Sequence, residues 1–295
     1  MGFEMRTITL CMVFGALPYL TNCARSDDIP EGKIYSYKKE DGVTREMEIH
    51  FPKGHDAATE LVPGIIMFHG GGWGGGKRDQ FRYLCHYFAN RGFVAATVSY
   101  RLATKADNRK GSRKRVCITD AKSAIRWYKN NAETLGIDPQ RIIAGGGSAG
   151  GHVSLLATTN PELNDPQDNR EHDTSVVAYL LFNPALGIAD AKDSEVDFLQ
   201  HIPPNFSPAI VFFGSEDEKW LKGWNAAYEK MQLLNIHSVE FWIAEDQEHS
   251  FFNKQPWQDM TIRASDEFLK NLGLIKGEPT LVPPKTQGKL VKKNS

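Results

Sequence analysis

The spacing of apolar residues changes repeatedly along this 295-residue chain. Tyr35 to Phe51 holds two alternating runs about Asp41-Gly42, which predicts a β-hairpin. Gly64-Ile65-Ile66-Met67-Phe68 is a short unbroken apolar run, as in a strand covered on both faces. Helical spacing from Phe81 to Asn90 is followed by a strand from Phe93 to Tyr100. A long helix then runs from Ile118 to Leu135 and stops at Gly136. Arg141 to Ala144 reads as strand and Ala149 to Thr158 as helix. Val176–Phe182, Ala209–Phe213 and Val239–Ile243 are three further strands. A helix from Lys219 to Leu234 separates the last two, and another covers Trp257 to Leu272. This alternation predicts an α/β fold with a mostly parallel central sheet flanked by helices on both faces. No Gly-, Pro- or Ser-rich linker divides it, so one domain is expected over residues 30–275.

Two polar or proline-rich stretches interrupt the pattern, Asn160 to Thr174 and Pro184 to Pro208, and are placed to form lids or walls of a site. From Gly277 onward the chain has four lysines and little apolar content, so residues 277–295 are expected to be a disordered basic tail. At the other end, Arg6 precedes an apolar run from Ile8 to Leu20. That run is short for a membrane span, which takes roughly 20 residues, and suits a secretory leader. Leu20-Thr21-Asn22-Cys23 resembles a bacterial lipoprotein box. Residues 1–23 are therefore set apart as a leader, with export expected and Cys23 a candidate for a lipid anchor.

Composition narrows the partners. Lys and Arg total 35 against 36 Asp and Glu, a net charge of −1 that offers no electrostatic case for nucleic acid. Mean hydropathy of −0.42 excludes a polytopic membrane protein. Of the four cysteines, Cys11 and Cys23 fall in the leader. Cys85 and Cys117 sit in helical patterns and read as two separate buried thiols. No spacing suggests a metal site. The cluster Arg109, Lys110, Arg113, Lys114 and Arg115 reads as a solvated loop before a helix.

The candidate chemistry starts at Gly146-Gly147-Ser148-Ala149-Gly150-Gly151. Gly-x-Ser-x-Gly between a strand and a helix is the pattern of a nucleophile elbow, in which a sharp turn presents the serine at a helix N-terminus. Gly145-x-Gly147-x-x-Gly150 also satisfies a dinucleotide fingerprint. That alternative needs an acid at the end of the next strand, which instead ends in Asn183-Pro184. No cofactor is expected. His69-Gly70-Gly71-Gly72-Trp73 directly follows the Gly64–Phe68 strand, where glycines let amides approach a substrate oxygen. The same run nearly matches a phosphate-binding loop, but Arg78 stands where the magnesium-binding Ser or Thr is required. Acid and base should follow the serine in the order Asp or Glu, then His. Asp217 lies in the loop after Ala209–Phe213, and His249 in the loop after Val239–Ile243.

These motifs and their order resemble the α/β-hydrolase superfamily, specifically the hormone-sensitive-lipase-like branch of esterases and lipases. Tyr100-Arg101-Leu102, Asp120 to Trp127, Gly136-Ile137-Asp138-Pro139 and His249 to Asn253 resemble recurrent segments of bacterial acetyl esterases and carbohydrate acetyl or feruloyl esterases. The resemblance implies a Ser148–His249–Asp217 triad and an oxyanion hole built from the Gly71, Gly72 and Ala149 amides. The chain departs from the common pattern in having Gly147 before the serine and Ser250 after the histidine. The reaction expected is acyl transfer to water on a small-molecule or glycan ester, with a short acyl group such as acetyl. His69 and Trp73 are candidate pocket residues. Trp220, Trp224 and Trp257 offer further ring faces, although core filling is the commoner use of tryptophan. Two rivals share the fold: a non-catalytic binding protein, which would have no need of the full residue set, and a serine peptidase, which would ordinarily carry a large accessory domain.

Overall fold

Both faces of the strand Val62–Phe68 are buried, as its unbroken apolar run requires. Ile66 and Phe68 point into one core, and Ile65 and Met67 into the other. A computed structural model describes residues 29–40, 42–107 and 112–293; the leader with Cys23, Asp41, and Arg109 and Lys110 of the basic cluster lie outside the described residues. In chain order, the strands are β1 (Lys33–Glu40), β2 (Val43–His50), β3 (Val62–Phe68), β4 (Val94–Val98), β5 (Ile137–Gly147), β6 (Ala178–Phe182), β7 (Ala209–Gly214), β8 (Val239–Ala244) and β9 (Leu290–Lys292). The helices are α1 (Arg82–Asn90), α2 (Lys114–Asn130), α3 (Ala132–Leu135), α4 (Ala149–Thr159), α5 (Glu218–Leu233) and α6 (Trp257–Asn271).

The strands form one nine-stranded sheet in the order β1-β2-β4-β3-β5-β6-β7-β8-β9. β3 to β8 pair in parallel, while β1, β2 and β9 add antiparallel edges. From β3 the chain crosses to β4 on one side; from β5 it crosses to β6 on the other. The carboxyl ends of β3 and β5 therefore meet at the point where the winding reverses, which is where α/β sheets open a crevice.

The structure differs from the pattern-based expectation in three places. The long second helix starts at Lys114 and breaks at Asn131 into α2 and α3, with Gly136 left-handed at φ 67°. Lys114 and Arg115 are half-buried and ion-paired rather than simply solvated: Lys114 pairs with Asp190, and Arg115 with Asp193 and Glu195 of the 184–208 segment. A run of like charge seen alone gives no sign of carboxylates supplied by a distant stretch. The basic tail is also ordered in part. Trp242, Ile243 and Ala244 of β8 register with Lys292, Val291 and Leu290 of β9. Ladder hydrogen bonds need no apolar side chains, so low hydrophobicity does not prevent a segment from covering a sheet edge. Cys85 and Cys117 are separate, buried thiols, as expected.

Two buried carboxylates tie the hairpin to the rest. Asp120 on α2, fully buried, accepts from Lys38 Nζ at 2.9 Å, the Arg101 amide at 2.9 Å and Arg101 Nη2 at 3.1 Å, with Arg45 Nε at 3.5 Å. Glu48 on β2 accepts from Arg82 at 2.7 and 2.9 Å and from the Gly32 amide at 3.1 Å, and hydrogen-bonds His50 at 2.9 Å. Burial alone would raise the Glu48 carboxyl, but the bonds from His50, Arg82 and Gly32 outweigh it and hold the group well below its ordinary 4.5.

Replacing Asp120 with Ala takes from Arg45 its one ion-pair partner among the described residues and leaves Lys38 and Arg101 with Asp165 and Glu40, so the unfolding free energy in a urea titration is expected to drop by about 3 kcal/mol. Glu48 is lowered in the fold, so its contribution is complete above pH 4.5 and is lost as pH falls toward the folded value. Thermal melts of Glu48→Gln should therefore show a flatter decline in Tm than the parent between pH 4.5 and 3; parallel declines would contradict the linkage.

Candidate active site

At the end of β5 the backbone turns so tightly that Ser148 takes φ 52° and ψ −118° before α4 begins. Two residues before and two residues after it, only glycine fits. A Cβ on Gly146 would lie 2.5 Å from the Phe68 carbonyl oxygen, and one on Gly150 only 1.9 Å from that same atom. Backbone bonds fix the turn: Ser148 N donates to the Phe182 carbonyl at 2.8 Å, and the Ser148 carbonyl accepts from Ala185 N at 2.9 Å.

His249 joins Ser148 to Asp217. Its Nε2 lies 2.8 Å from Ser148 Oγ and its Nδ1 2.7 Å from Asp217 Oδ2. Asp217 sits in the loop between β7 and α5 and is 5% exposed, whereas the His249 side chain is 29% exposed. The two loops are held together by Glu216 N donating to the Gln247 carbonyl at 2.9 Å. All three residues singled out from the sequence therefore meet. A hydroxyl on an imidazole on a buried carboxylate is the arrangement from which a serine can surrender its proton while attacking.

The glycine loop after β3 lies alongside. A Cβ on Gly70 would stand 3.3 Å from Ser148 Cβ. Gly71, Gly72 and Trp73 have φ of 122°, 61° and 62°, and Gly70 N donates to Gln80 Oε1 at 2.6 Å. Among the described residues the Gly71 and Gly72 amides donate to no backbone carbonyl. The Ala149 amide, first in its helix, has no intrahelical acceptor. Gly71 and Gly72 thus follow the residue that lies against Ser148, and Ala149 follows Ser148 directly.

The two pocket candidates occupy supporting positions. His69 is 2% exposed; it stacks on Tyr100 with centroids 4.4 Å apart, and burial lowers its pKa. It backs a polar cleft of about 570 Å³ that Lys77, Arg78 and Arg101 also line and the triad does not. Trp73 is 6% exposed and covered by Lys114 Nζ, 3.8 Å above its ring. Trp224 is fully buried and Trp257 is 7% exposed, both core residues. It is Trp220 that stands near the histidine, its ring 6.2 Å from that of His249. The Pro184–Pro208 stretch forms a packed wall, with Leu186, Val196, Phe198 and Phe206 in the core. The hydrogen bonds and ion pairs of Asn160–Thr174 run mainly to α2 and β1.

Asn183 is the residue that sequence reasoning passed over. At the end of β6, with φ 47° and no exposure, it donates Nδ2 to Asp217 Oδ2 at 2.8 Å. The same carboxylate oxygen thus serves both His249 and Asn183. In the sequence its one signal is its place at a strand end, where a nucleotide site would need an acid. Among the described residues no group of three or more His, Cys, Asp or Glu side chains is gathered to hold a metal ion.

Known proteins bear on this geometry. The BD-FAE family profile matches residues 47–183. The probable carboxylic ester hydrolase LipM of Mycobacterium tuberculosis is 35% identical over 131 residues, covering 42% of this chain and 28% of that protein. Carboxylesterase NlhH of the same organism is 28% identical over 162 residues, 50% of this chain and 49% of that one. The chain therefore spans half or less of the length of these two relatives. Esterase 2 of Thermogutta terrifontis superimposes with a TM-score of 0.77 and 31% identity, over 85% of this chain and 98% of that one. Other structures of that esterase have propionate or butyrate bound. A match at this identity over nearly all of a solved esterase places the chain in the α/β-hydrolase superfamily: it belongs to the hormone-sensitive-lipase-like esterase branch.

Proposed function

We propose that the protein is a serine carboxylesterase that hydrolyses short-chain acyl esters, acetyl first among them, through an acyl-enzyme on Ser148. The observation that carries this reading is the continuous relay from Asp217 through His249 to Ser148, at 2.7 and 2.8 Å, beside a loop of free glycine amides.

In the first half-reaction, His249 Nε2 takes the Ser148 proton as Oγ attacks the ester carbonyl. Asp217 holds the imidazole by Nδ1 and balances its positive charge. Asn183 steadies Asp217 through the oxygen that faces His249. The Gly71, Gly72 and Ala149 amides meet the developing oxyanion, where each well-placed donor is worth about 3–4 kcal/mol of barrier. His249 then gives its proton to the leaving alcohol. In the second half-reaction it takes one from water as the water attacks the acyl-enzyme; the bond from the acyl carbon to Ser148 Oγ then breaks, Oγ recovers its proton from His249 and the acid leaves.

A short acyl group is the reading favoured by the aromatic packing next to the serine turn. Phe252 reaches to 2.5 Å from where a Gly147 Cβ would be and packs on Phe81 and Phe182, and Trp220 stands beside His249. The propionate and butyrate held by the Thermogutta terrifontis esterase are ligands of the same size class. An acetylated glycan is the extended form of this substrate, and its sugar would occupy the alcohol side.

Ser148→Ala should lower kcat on p-nitrophenyl acetate by on the order of 10⁴-fold or more without loss of fold, because the nucleophile is removed outright. Retention of wild-type turnover would end the esterase assignment. Across p-nitrophenyl esters from acetyl to palmitoyl, kcat/KM should peak between acetyl and butyryl, with acetate also released from acetylated xylan. An optimum at decanoyl or longer would refute the short-chain reading, and absence of acetate release from xylan would confine it to small esters.

A further inference from the structure

Trp73, immediately after the glycine run, sends its indole inward to a second histidine. Its Nε1 donates to His152 Nδ1 at 3.3 Å, and His152 Nε2 donates to the Val196 carbonyl at 2.9 Å. Only the neutral imidazole with its proton on Nε2 satisfies both bonds. His152 is fully buried one turn after Ser148 on α4, and its amide donates to the Ser148 carbonyl at 3.3 Å. Burial, helped by the Lys114 ammonium, pushes its pKa down to about 3 and keeps the ring neutral. The second face of the arrangement is closed by Lys114, which lies over the Trp73 ring and pairs with Asp190. Asp190 in turn accepts from the Gly187 amide at 3.0 Å. One indole thus joins the glycine loop, the nucleophile helix, α2 and the 184–208 wall.

That junction answers a specific weakness. Three successive residues, Gly71, Gly72 and Trp73, hold positive φ, and glycine resists rearrangement least of all residues. A non-glycine residue in that region persists only where its surroundings over-determine it. Among the described residues the backbone hydrogen bonds of residues 71–73 are few: Gly74 N to the Gly71 carbonyl at 3.3 Å and Ala103 N to the Trp73 carbonyl at 2.7 Å. Amides stabilise an oxyanion only if they are already aimed at it.

We propose that His152 is a positioning residue for the oxyanion hole: acting through the Trp73 indole, it holds the Gly71 and Gly72 amides at the oxygen of an ester bound on Ser148. This rests on the serine-esterase reading above. His152 touches neither substrate nor reacting atoms; its effect passes through one hydrogen bond and the loop that bond fixes.

Trp73→Phe keeps an aromatic ring and deletes the N–H. On p-nitrophenyl acetate its kcat should fall about ten- to a hundredfold, the scale of a misplaced reacting group, while KM changes by about twofold or less. Affinity for a boronic acid, which becomes tetrahedral on the serine, should fall by the same factor as kcat/KM. His152→Leu should match these losses, the double variant should be no worse than either single one, and His152→Asn, whose amide oxygen can replace Nδ1 as acceptor, should recover part of kcat. A folded Trp73→Phe with parental kcat and boronate affinity overturns the proposal, as do additive losses in the double variant. If His152→Leu does not fold, Trp73→Phe alone decides. An unmutated protein that cleaves no ester would instead overturn the esterase reading on which the proposal stands.

Discussion

The Phe68 carbonyl oxygen is the fixed point around which the site is built. It ends β3, and both glycines of the serine turn pass so close to it that a single added methyl at either would overlap it. Because β3 and β5 are adjacent parallel strands whose crossovers leave in opposite directions, the chain beyond Phe68 and the chain beyond Gly147 must emerge into the same crevice. The glycine loop and the serine turn are therefore neighbours by topology before any side chain contributes. The strain in Ser148 is tolerated because its amide and carbonyl are both committed, to Phe182 and Ala185, and because α4 continues directly from it.

The same geometry explains why so much was legible from the sequence. Glycines at 146 and 150 answer a steric demand that leaves no alternative residue, so the elbow is visible as a motif. The core strands are buried on both faces and therefore read as unbroken apolar runs. Asp217 and His249 could be placed because each follows a recognisable strand in the order the fold imposes. Strand and helix positions from β1 to α6 needed only adjustments at their ends, apart from the break at Asn131.

What escaped the sequence depends on partners far along the chain. Asn183 acquires its role only because β6 and β7 are neighbours, which puts its amide on Asp217. Lys114 and Arg115 look like solvent-facing charge until Asp190, Asp193 and Glu195 arrive from some 80 residues away. The terminal lysines look like a loose tail until β8 supplies an open edge. Local composition carries no record of any of these pairings. The segments that resemble family members, Tyr100 to Leu102 and the stretch from Asp120, meet at Asp120 rather than at the triad, so that part of the likeness reflects a structural anchor.

Histidine shows how environment divides one residue type between two tasks. His249 is partly exposed and bonds a carboxylate at Nδ1, so a proton gained at Nε2 is balanced at once by Asp217. His152 lies three residues past the elbow's Ala149, with no solvent contact, an indole N–H at one nitrogen and a carbonyl at the other. Asp190 comes no nearer than 3.6 Å and is already claimed by Lys114. A proton on His152 would lack a counter-charge of its own and would break the bond from Trp73, because Nδ1 would then be a donor facing a donor. The proposed reaction thus needs one imidazole that changes its charge, and the role proposed for His152 needs one that does not. The difference follows from which acceptor each ring meets, and that is set by the fold rather than by the residue.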